Sequence, residues 1–115
     1  EKPLQDDVKR KIALFCNVDF GAVIESPDVP TIYQIPLVFE QQGFAERVME
    51  RLRLQAPTPD LTAWRAMVQR ITQPREKVRI CVVGKYTDYV DSYKSVQEAL
   101  IHGGIANDVG VELAW

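Results

Sequence analysis

The spacing of hydrophobic and polar positions changes several times along the chain. Residues 11–17 (KIALFCN) form a short, continuous apolar run, which is typical of a strand buried on both faces. Residues 22–25 (AVIE) are a second strand candidate. Pro27 and Pro30 then flank Asp28 and predict a rigid, extended loop, because proline fixes its own backbone and restricts the residue before it. The pattern therefore predicts two strands and a constrained loop.

Helical spacing follows. Apolar positions recur at helical intervals between residues 37 and 54, with an interruption near Gly43, which predicts one broken helix or two short ones, the second covering about 44–53. A proline-punctuated break occupies residues 55–60 (QAPTPD). Apolar positions from 61 to 71 then predict another helix, with Asp60 as a candidate N-cap and Pro74 after its end.

The second half reads as a strand, a helix and a strand. Residues 77–84 (KVRICVVG) and 109–115 (VGVELAW) are the strand candidates, and residues 91–104 (DSYKSVQEALIHGG) are the helix between them. Asp91 is a candidate cap at its start, and Gly103 and Gly104 are candidates for its end. Such a unit predicts parallel pairing with a right-handed crossover. Neither half has enough strands to bury a sheet, so we expect a fragment across the junction of two larger α/β domains.

Composition narrows the classes of function. A formal charge of -2 over 115 residues provides no basic field, which disfavours nucleic-acid binding. The apolar runs are too short for a bilayer, and the charged start does not resemble a signal peptide. Cys16 and Cys81 lie in apolar runs, so we expect buried thiols in a reducing compartment, and neither has metal-site spacing.

The stretch VVGKY at residues 82–86 resembles the start of a phosphate-binding loop. A P-loop requires G-x-x-x-x-G-K-[ST], whereas this chain has Arg79 at the first glycine position and Tyr86 at the hydroxyl position. The nucleotide motif is therefore absent. Lys85 still follows a strand, where ligands of open α/β sheets bind, and tyrosines 86, 89 and 93 lie nearby. A polar contact surface and a solvated loop with packed tyrosines both remain open.

Other chemistry-bearing residues have ordinary alternatives. Neither cysteine lies in a nucleophile elbow, and His102 is better explained as a helix-end residue than as a general base. Asp28 is either a turn residue or a ligand contact. Lys11, within DDVKRK, reads from spacing alone as a solvated charge.

Several stretches together resemble the CTP synthase family. They are KIALFCNV, AVIESPDVPTIYQIP, QQGF, and VVGKY followed by DSYKSVQEALIHGG, in this order over nearly the whole chain. The resemblance implies an α/β fold made of parts of two parallel-sheet domains, a P-loop amidoligase-like one and a flavodoxin-like class I glutaminase, joined by a helical linker. It implies that residues 1–54 end the synthetase (amidoligase) domain, 55–76 are the interdomain linker and 77–115 begin the glutamine amidotransferase domain.

The resemblance also implies an activity. The family is a ligase of pyrimidine biosynthesis that aminates UTP to CTP with ATP, Mg2+ and glutamine or ammonia. GTP is its allosteric activator, CTP its feedback inhibitor, and the intact protein is expected to be a cytoplasmic homotetramer that binds neither nucleic acid nor membrane. No catalytic residue or metal ligand is expected in this segment, which we expect to be inactive alone.

Few site residues follow from the resemblance. It implies that Lys11 binds UTP or CTP and that Pro27, Asp28 and Val29 contact ATP. It also implies that Lys85 and Lys94 lie near the domain junction and influence the GTP response. The family often has a proline in the loop after Gly-Lys-Tyr, where this chain has TDYVD. The alternative is a non-catalytic interdomain or interaction module that retains this sequence.

Overall fold

The computed structural model describes residues 3–115, except for the side chain of Val90. The chain divides into two compact units, Glu1–Leu61 and Thr62–Trp115. In the described residues the first unit contains helices and extended segments, and the second contains a two-stranded parallel sheet with helices. The fold class is therefore α/β with a small parallel sheet.

The first element is a helix, α1 (Asp6–Cys16), so the strand predicted for residues 11–17 is wrong. A short apolar run does not by itself distinguish a strand from a packed helix, and here the charged residues before it continue the same helix. Asp6 and Asp7 occupy the first turn, where negative charge favours the helix dipole. Asn17 ends α1 in the left-handed conformation (φ 52°), and its N–H donates to the Ala13 and Leu14 carbonyls.

The strand predicted for residues 22–25 is also absent. A 3-10 helix covers Phe20–Ala22, and the extended residues that follow pair with no strand in the described chain. The Gln42 side chain instead bonds both backbone groups of Glu25, at 2.8 Å each. This segment therefore satisfies its backbone with a side chain rather than with a sheet.

The broken helix predicted after residue 35 is confirmed as two helices. A 3-10 turn at Ile32–Gln34 leads into α2 (Ile35–Gln41), and α3 follows at Phe44–Leu52. Gly43 separates them with φ 69°, a conformation that favours glycine. The rings of Phe39 and Phe44 pack across this corner with centroids 5.3 Å apart.

The second unit confirms the predicted helix and the strand–helix–strand order after it. Its elements are α4 (Thr62–Thr72), β1 (Glu76–Cys81), a 3-10 turn (Val90–Tyr93), α5 (Lys94–Ala106) and β2 (Val109–Ala114). The two strands pair in parallel from Glu76 opposite Val109 to Cys81 opposite Ala114. Both carboxyl ends therefore lie at the same edge of the sheet.

Both predicted ends of the helix in residues 91–104 need correction. Asp91 lies in the 3-10 turn, and the residue before α5 is Tyr93, which makes no side-chain cap. Gly103 and Gly104 lie inside α5, which ends at Ala106. The C-cap residue is Asn107, whose Nδ2 donates to the Gly103 carbonyl at 2.8 Å. Gly104 is buried because α5 passes close to β2: a Cβ there would lie 2.7 Å from the Val109 carbonyl oxygen.

Few side chains are buried in the described chain, and the buried apolar ones are Ala13, Leu37 and Val68. Cys16 and Cys81 are exposed, so the prediction of buried thiols is wrong. Cys81 is the last residue of β1 in a two-stranded sheet. Successive strand residues face opposite sides of the sheet, and Ile80 lies on the more covered side. None of the helices in residues 3–115 has the length and apolar character needed to cross a membrane.

Candidate functional site

Lys11 lies on α1 with an exposed side chain. In the described part of the chain it has no ion pair, whereas its helix neighbour Lys9 binds Glu25 at 3.4 Å. A lysine ammonium without a carboxylate partner is free to meet an anionic ligand. The Lys11 ammonium is therefore available to contact an anionic group.

The loop of Pro27, Asp28 and Val29 follows Glu25 after one residue, Ser26. Pro27 and Val29 are half-buried, and Asp28 between them is exposed. Within residues 3–115 no hydrogen bond or ion pair holds the Asp28 carboxylate. The loop thus has an exposed acidic side chain between two half-buried residues.

Glu25 connects this loop to three other segments. Its carboxylate accepts a hydrogen bond from the Leu4 N–H at 3.0 Å and pairs with Lys9, and its backbone pairs with Gln42. The Lys9 and Glu25 side chains are only 20% and 17% exposed, so this pair is better shielded than a surface salt bridge. The structure therefore links α1, which carries Lys11, to the start of the Pro27–Val29 loop through Lys9 and Glu25.

The second group of predicted residues lies at the carboxyl edge of the sheet. The Val82 N–H donates to the Ala114 carbonyl at 2.7 Å, and the chain then leaves the sheet toward Lys85. Lys85 is exposed, with Nζ 5.3 Å from the centre of the Tyr86 ring, a weak cation–π contact. Tyr93 packs against Trp115 with ring centroids 5.5 Å apart. The strand-end residues thus include a lysine beside one tyrosine ring and a separate pair of packed aromatic rings.

Gly84 shows how closely this surface is packed. A Cβ on Gly84 would lie 2.5 Å from the Tyr93 hydroxyl oxygen and 2.9 Å from its Cζ. The Tyr93 ring therefore covers the turn at Gly84, where a phosphate loop would expose its backbone N–H groups. This contact supports the conclusion from the sequence that VVGKY does not hold a phosphate.

Lys94 is the first residue of α5 and bonds Glu98, four residues later, at 2.7 Å. A cation at a helix N-terminus opposes the helix dipole, and this pair offsets that cost. The hydrogen bond from Lys94, with the charges of Lys94 and His102, lowers the pKa of Glu98. His102 lies on the same helix, inside rather than at its end. Lys94 is thus engaged within its own helix, unlike Lys85.

Reasoning from the sequence missed Lys9, Glu25 and Gln42. The signals available were an acidic residue inside the apolar run AVIE and a glutamine just before Gly43. Neither indicates its partner, because the two residues are 17 positions apart. In residues 3–115 no group of three His, Cys, Asp or Glu side chains is arranged to hold a metal ion.

Comparison with known proteins extends over the whole chain. A family model described as CTP synthase N-terminus matches residues 1–54. The CTP synthases of Oleidesulfovibrio alaskensis and Methanococcus maripaludis are each 49% identical over 115 residues, which is all of this chain and 21% and 22% of those proteins. The CTP synthase of Methanopyrus kandleri is 50% identical over the same length and 22% of that protein. The chain thus spans about a fifth of the length of these relatives, and it belongs to the CTP synthase family.

Proposed function

We propose that the chain acts as one segment of a complete CTP synthase, which aminates UTP to CTP with ATP and with glutamine or ammonia as nitrogen source. The observation that carries this proposal is the near-50% identity to CTP synthases over all 115 residues. Nothing in the comparisons favours the alternative of a non-catalytic interaction module. Exposed large apolar side chains, such as Phe15 at 86% and Ile32 at 72%, suit a segment that packs against further protein.

The proposed organisation has three parts. Residues 1–54 would end the synthetase (amidoligase) domain, 55–76 would form the linker with its helix, and 77–115 would begin the glutamine amidotransferase domain. The match of the N-terminal family model to residues 1–54 supports the first boundary. The division of the chain into two compact units, with the break after Leu61, is compatible with a linker in this region.

The proposed reaction has two linked steps. ATP transfers its γ-phosphoryl group to the uracil 4-oxygen, releasing ADP and creating a leaving group on the ring. Ammonia, released from glutamine by hydrolysis in the other domain, then attacks the ring carbon that bears this oxygen and displaces phosphate. We assign no catalytic residue to this segment, and we expect the isolated chain to be inactive.

Lys11 is the residue we propose for the UTP substrate and the CTP inhibitor. Its exposed ammonium without an ion pair in residues 3–115 would approach the triphosphate, where a charge-assisted hydrogen bond forms at little desolvation cost. Because UTP and CTP carry the same triphosphate, one lysine would serve both substrate binding and feedback inhibition.

Pro27, Asp28 and Val29 are proposed to contact ATP. Two half-buried residues on either side of an exposed carboxylate suit the uncharged adenine end of ATP better than its phosphates, because a carboxylate repels phosphate. An adenine amino group can instead donate a hydrogen bond to it. Mg2+ would accompany ATP, but residues 3–115 hold no cluster of metal ligands, so we assign none of them to the metal.

Lys85 and Lys94 are proposed to couple the two domains and to influence activation by GTP. Lys85 suits this role better, because in residues 3–115 its ammonium has only a weak ring contact, whereas Lys94 is bonded to Glu98. We further propose that the complete enzyme is a cytoplasmic homotetramer.

The test uses the complete enzyme and its Lys11→Ala variant. We expect CTP formation that depends on UTP, ATP and glutamine, followed by absorbance or chromatography. Losing a charge-assisted hydrogen bond worth about 1.5–3 kcal/mol should raise KM for UTP by roughly ten- to a hundredfold and weaken CTP inhibition comparably.

Arg10→Ala is the matched control. Arg10 is the preceding cation on α1, is exposed, and has no ion pair in the described part of the chain. It should leave KM for UTP within about twofold, because residues adjacent in a helix point in different directions. Absence of CTP formation would contradict the proposed activity. An unchanged KM and unchanged inhibition in Lys11→Ala would contradict only the role of Lys11.

A further inference from the structure

The side chain of Gln42 is fully engaged by backbone groups. Its Oε1 accepts a hydrogen bond from the Glu25 N–H at 2.8 Å, and its Nε2 donates to the Glu25 carbonyl at 2.8 Å and to the Val38 carbonyl at 3.3 Å. Reversing the amide would place its oxygen against a carbonyl and its nitrogen against an N–H. These contacts therefore permit one orientation, in which both hydrogens and the oxygen of the amide are used.

This pairing does for Glu25 what a neighbouring strand would do. A residue in an antiparallel sheet exchanges an N–H donor and a carbonyl acceptor with its partner, and Gln42 supplies both with one side chain. Because the contacts are part-buried, loss of the amide would leave two backbone groups of Glu25 without their partner. Gln42 thus fixes the position of Glu25 in the extended segment.

The segment transmits this constraint to the Pro27–Val29 loop. Only Ser26 separates Glu25 from Pro27, and the proline ring fixes the φ angle of residue 27 and restricts Ser26. Few freely rotating backbone bonds therefore remain between Glu25, which Gln42 binds, and Asp28. The corner that carries Gln42 is itself defined, since the Gln42 N–H donates to the Phe39 carbonyl at 3.1 Å and Gly43 follows with φ 69°.

We propose that Gln42 is a positioning residue that holds the Pro27–Val29 loop in its ATP-binding conformation by clamping the backbone of Glu25. This inference rests on the proposed function, which assigns the loop to ATP. A loop that occupies its binding conformation for only a fraction of the time binds its ligand more weakly by that fraction. Gln42 would therefore act on ATP affinity, without touching ATP and without affecting UTP.

The first test compares Gln42→Ala with Gln41→Ala in the complete enzyme. Gln41 is the preceding residue, is exposed, and makes no side-chain hydrogen bond in the described part of the chain. We expect Gln42→Ala to raise KM for ATP about tenfold, as expected from losing net hydrogen bonds of ordinary strength. KM for UTP, and kcat at saturating ATP, should stay within about twofold. Gln41→Ala should change none of them.

The second test measures amide hydrogen exchange at Glu25 in the 115-residue chain. We expect protection of the Glu25 N–H to be lost in Gln42→Ala and kept in Gln41→Ala, because only Gln42 accepts this hydrogen. This measurement does not depend on any enzymatic activity, so it tests the clamp apart from the proposed function.

The outcomes separate the two ideas. Unchanged protection at Glu25 would overturn the clamp, whatever the enzyme does. Lost protection with an unchanged KM for ATP would overturn the link between the clamp and ATP. A parallel rise in both KM values, or a loss of kcat alone, would show general structural damage and would also overturn the positioning role. If the complete enzyme forms no CTP, the proposed function fails and the ATP role of Gln42 fails with it, while the exchange result still decides the clamp.

Discussion

Of the two glycines in helix α5, Gly104 is the one that lies against strand β2. Its replacement by alanine is a sharp test of how closely α5 packs on β2. An alanine Cβ there would lie 2.7 Å from the Val109 carbonyl oxygen and 2.7 Å from Cγ2 of Val111, where ordinary contact begins at 3.4 Å. One obstacle is backbone in the sheet, so the helix or the strand has to move. Gly103, one residue earlier in α5, has no atom within 4 Å of its Cβ position and is therefore the matched control.

The magnitude follows from comparing the two variants. Both replace a helical glycine by alanine, so each gains up to about 1 kcal/mol of helix propensity, and this gain cancels in the comparison. The remaining difference is the cost of overpacking, about 1–3 kcal/mol, so Gly104→Ala should be less stable than Gly103→Ala by that amount. With a urea m-value near 1 kcal/mol/M, the midpoints should differ by about 1–3 M.

Tryptophan fluorescence is a suitable assay, because both tryptophans, Trp64 and Trp115, lie in the second unit with α5 and β2. Urea unfolding of the 115-residue chain would then report on this unit alone. Should Gly104→Ala be too unstable to measure, introducing it into the Gly103→Ala background provides additional stability. A Gly104→Ala midpoint equal to or above that of Gly103→Ala would refute the close approach of α5 to β2.

Two further predictions concern charges in the second unit. The hydrogen bond from Lys77, 3.1 Å long, and then the charges of Lys77 and Arg79, lower the pKa of Glu112 below its ordinary value of 4.5. The unfolded state therefore binds the proton more readily, and the stability from this group is present above the unfolded pKa and lost as pH falls through the folded pKa. Glu112→Gln should make the urea midpoint fall less steeply between about pH 5 and pH 3. Glu76→Gln should not, because it removes a carboxylate with no ion pair in residues 3–115. Equal pH dependence of the urea midpoint in the two variants would contradict this reasoning. In the complete enzyme, Lys85→Ala should lower GTP-activated, glutamine-dependent CTP formation by about tenfold, while ammonia-dependent CTP formation stays within about twofold. The reason is that a coupling residue affects nitrogen delivery and not the amination step. An equal loss in both assays would contradict a coupling role.

The residues of the proposed site were predictable only in part. The resemblance to the family indicated Lys11, the Pro27–Val29 loop, Lys85 and Lys94, and the structure shows Lys11 and Asp28 exposed and without ion pairs in its described residues. The residues that hold the loop were not predictable. Glu25 lies in the run AVIE, which predicted a strand, and nothing in the sequence marks Gln42 as its partner. Only folding brings them within 2.8 Å.

The sequence by itself determined the elements whose apolar positions have a clear spacing. The helices α3 and α4 have apolar positions at helical spacing. The strands β1 and β2 are apolar runs on either side of a helix, an order that favours parallel pairing. Other stretches, among them KIALFCNV and VVGKY, resemble CTP synthases and identified the family. These features depend on local spacing or on residue identity, both of which can be read without coordinates.

Tertiary structure decided the rest. The run KIALFCN suits a strand as well as a helix, and it became the end of α1, whose Lys9 pairs with Glu25. The run AVIE had strand composition but no neighbouring strand, and a glutamine side chain took that place. Gly103 and Gly104 had the composition of a helix end, yet α5 continued through them because Gly104 allows the helix to lie against β2. In each case the local pattern was compatible with two conformations, and contacts with residues distant in the sequence selected one of them.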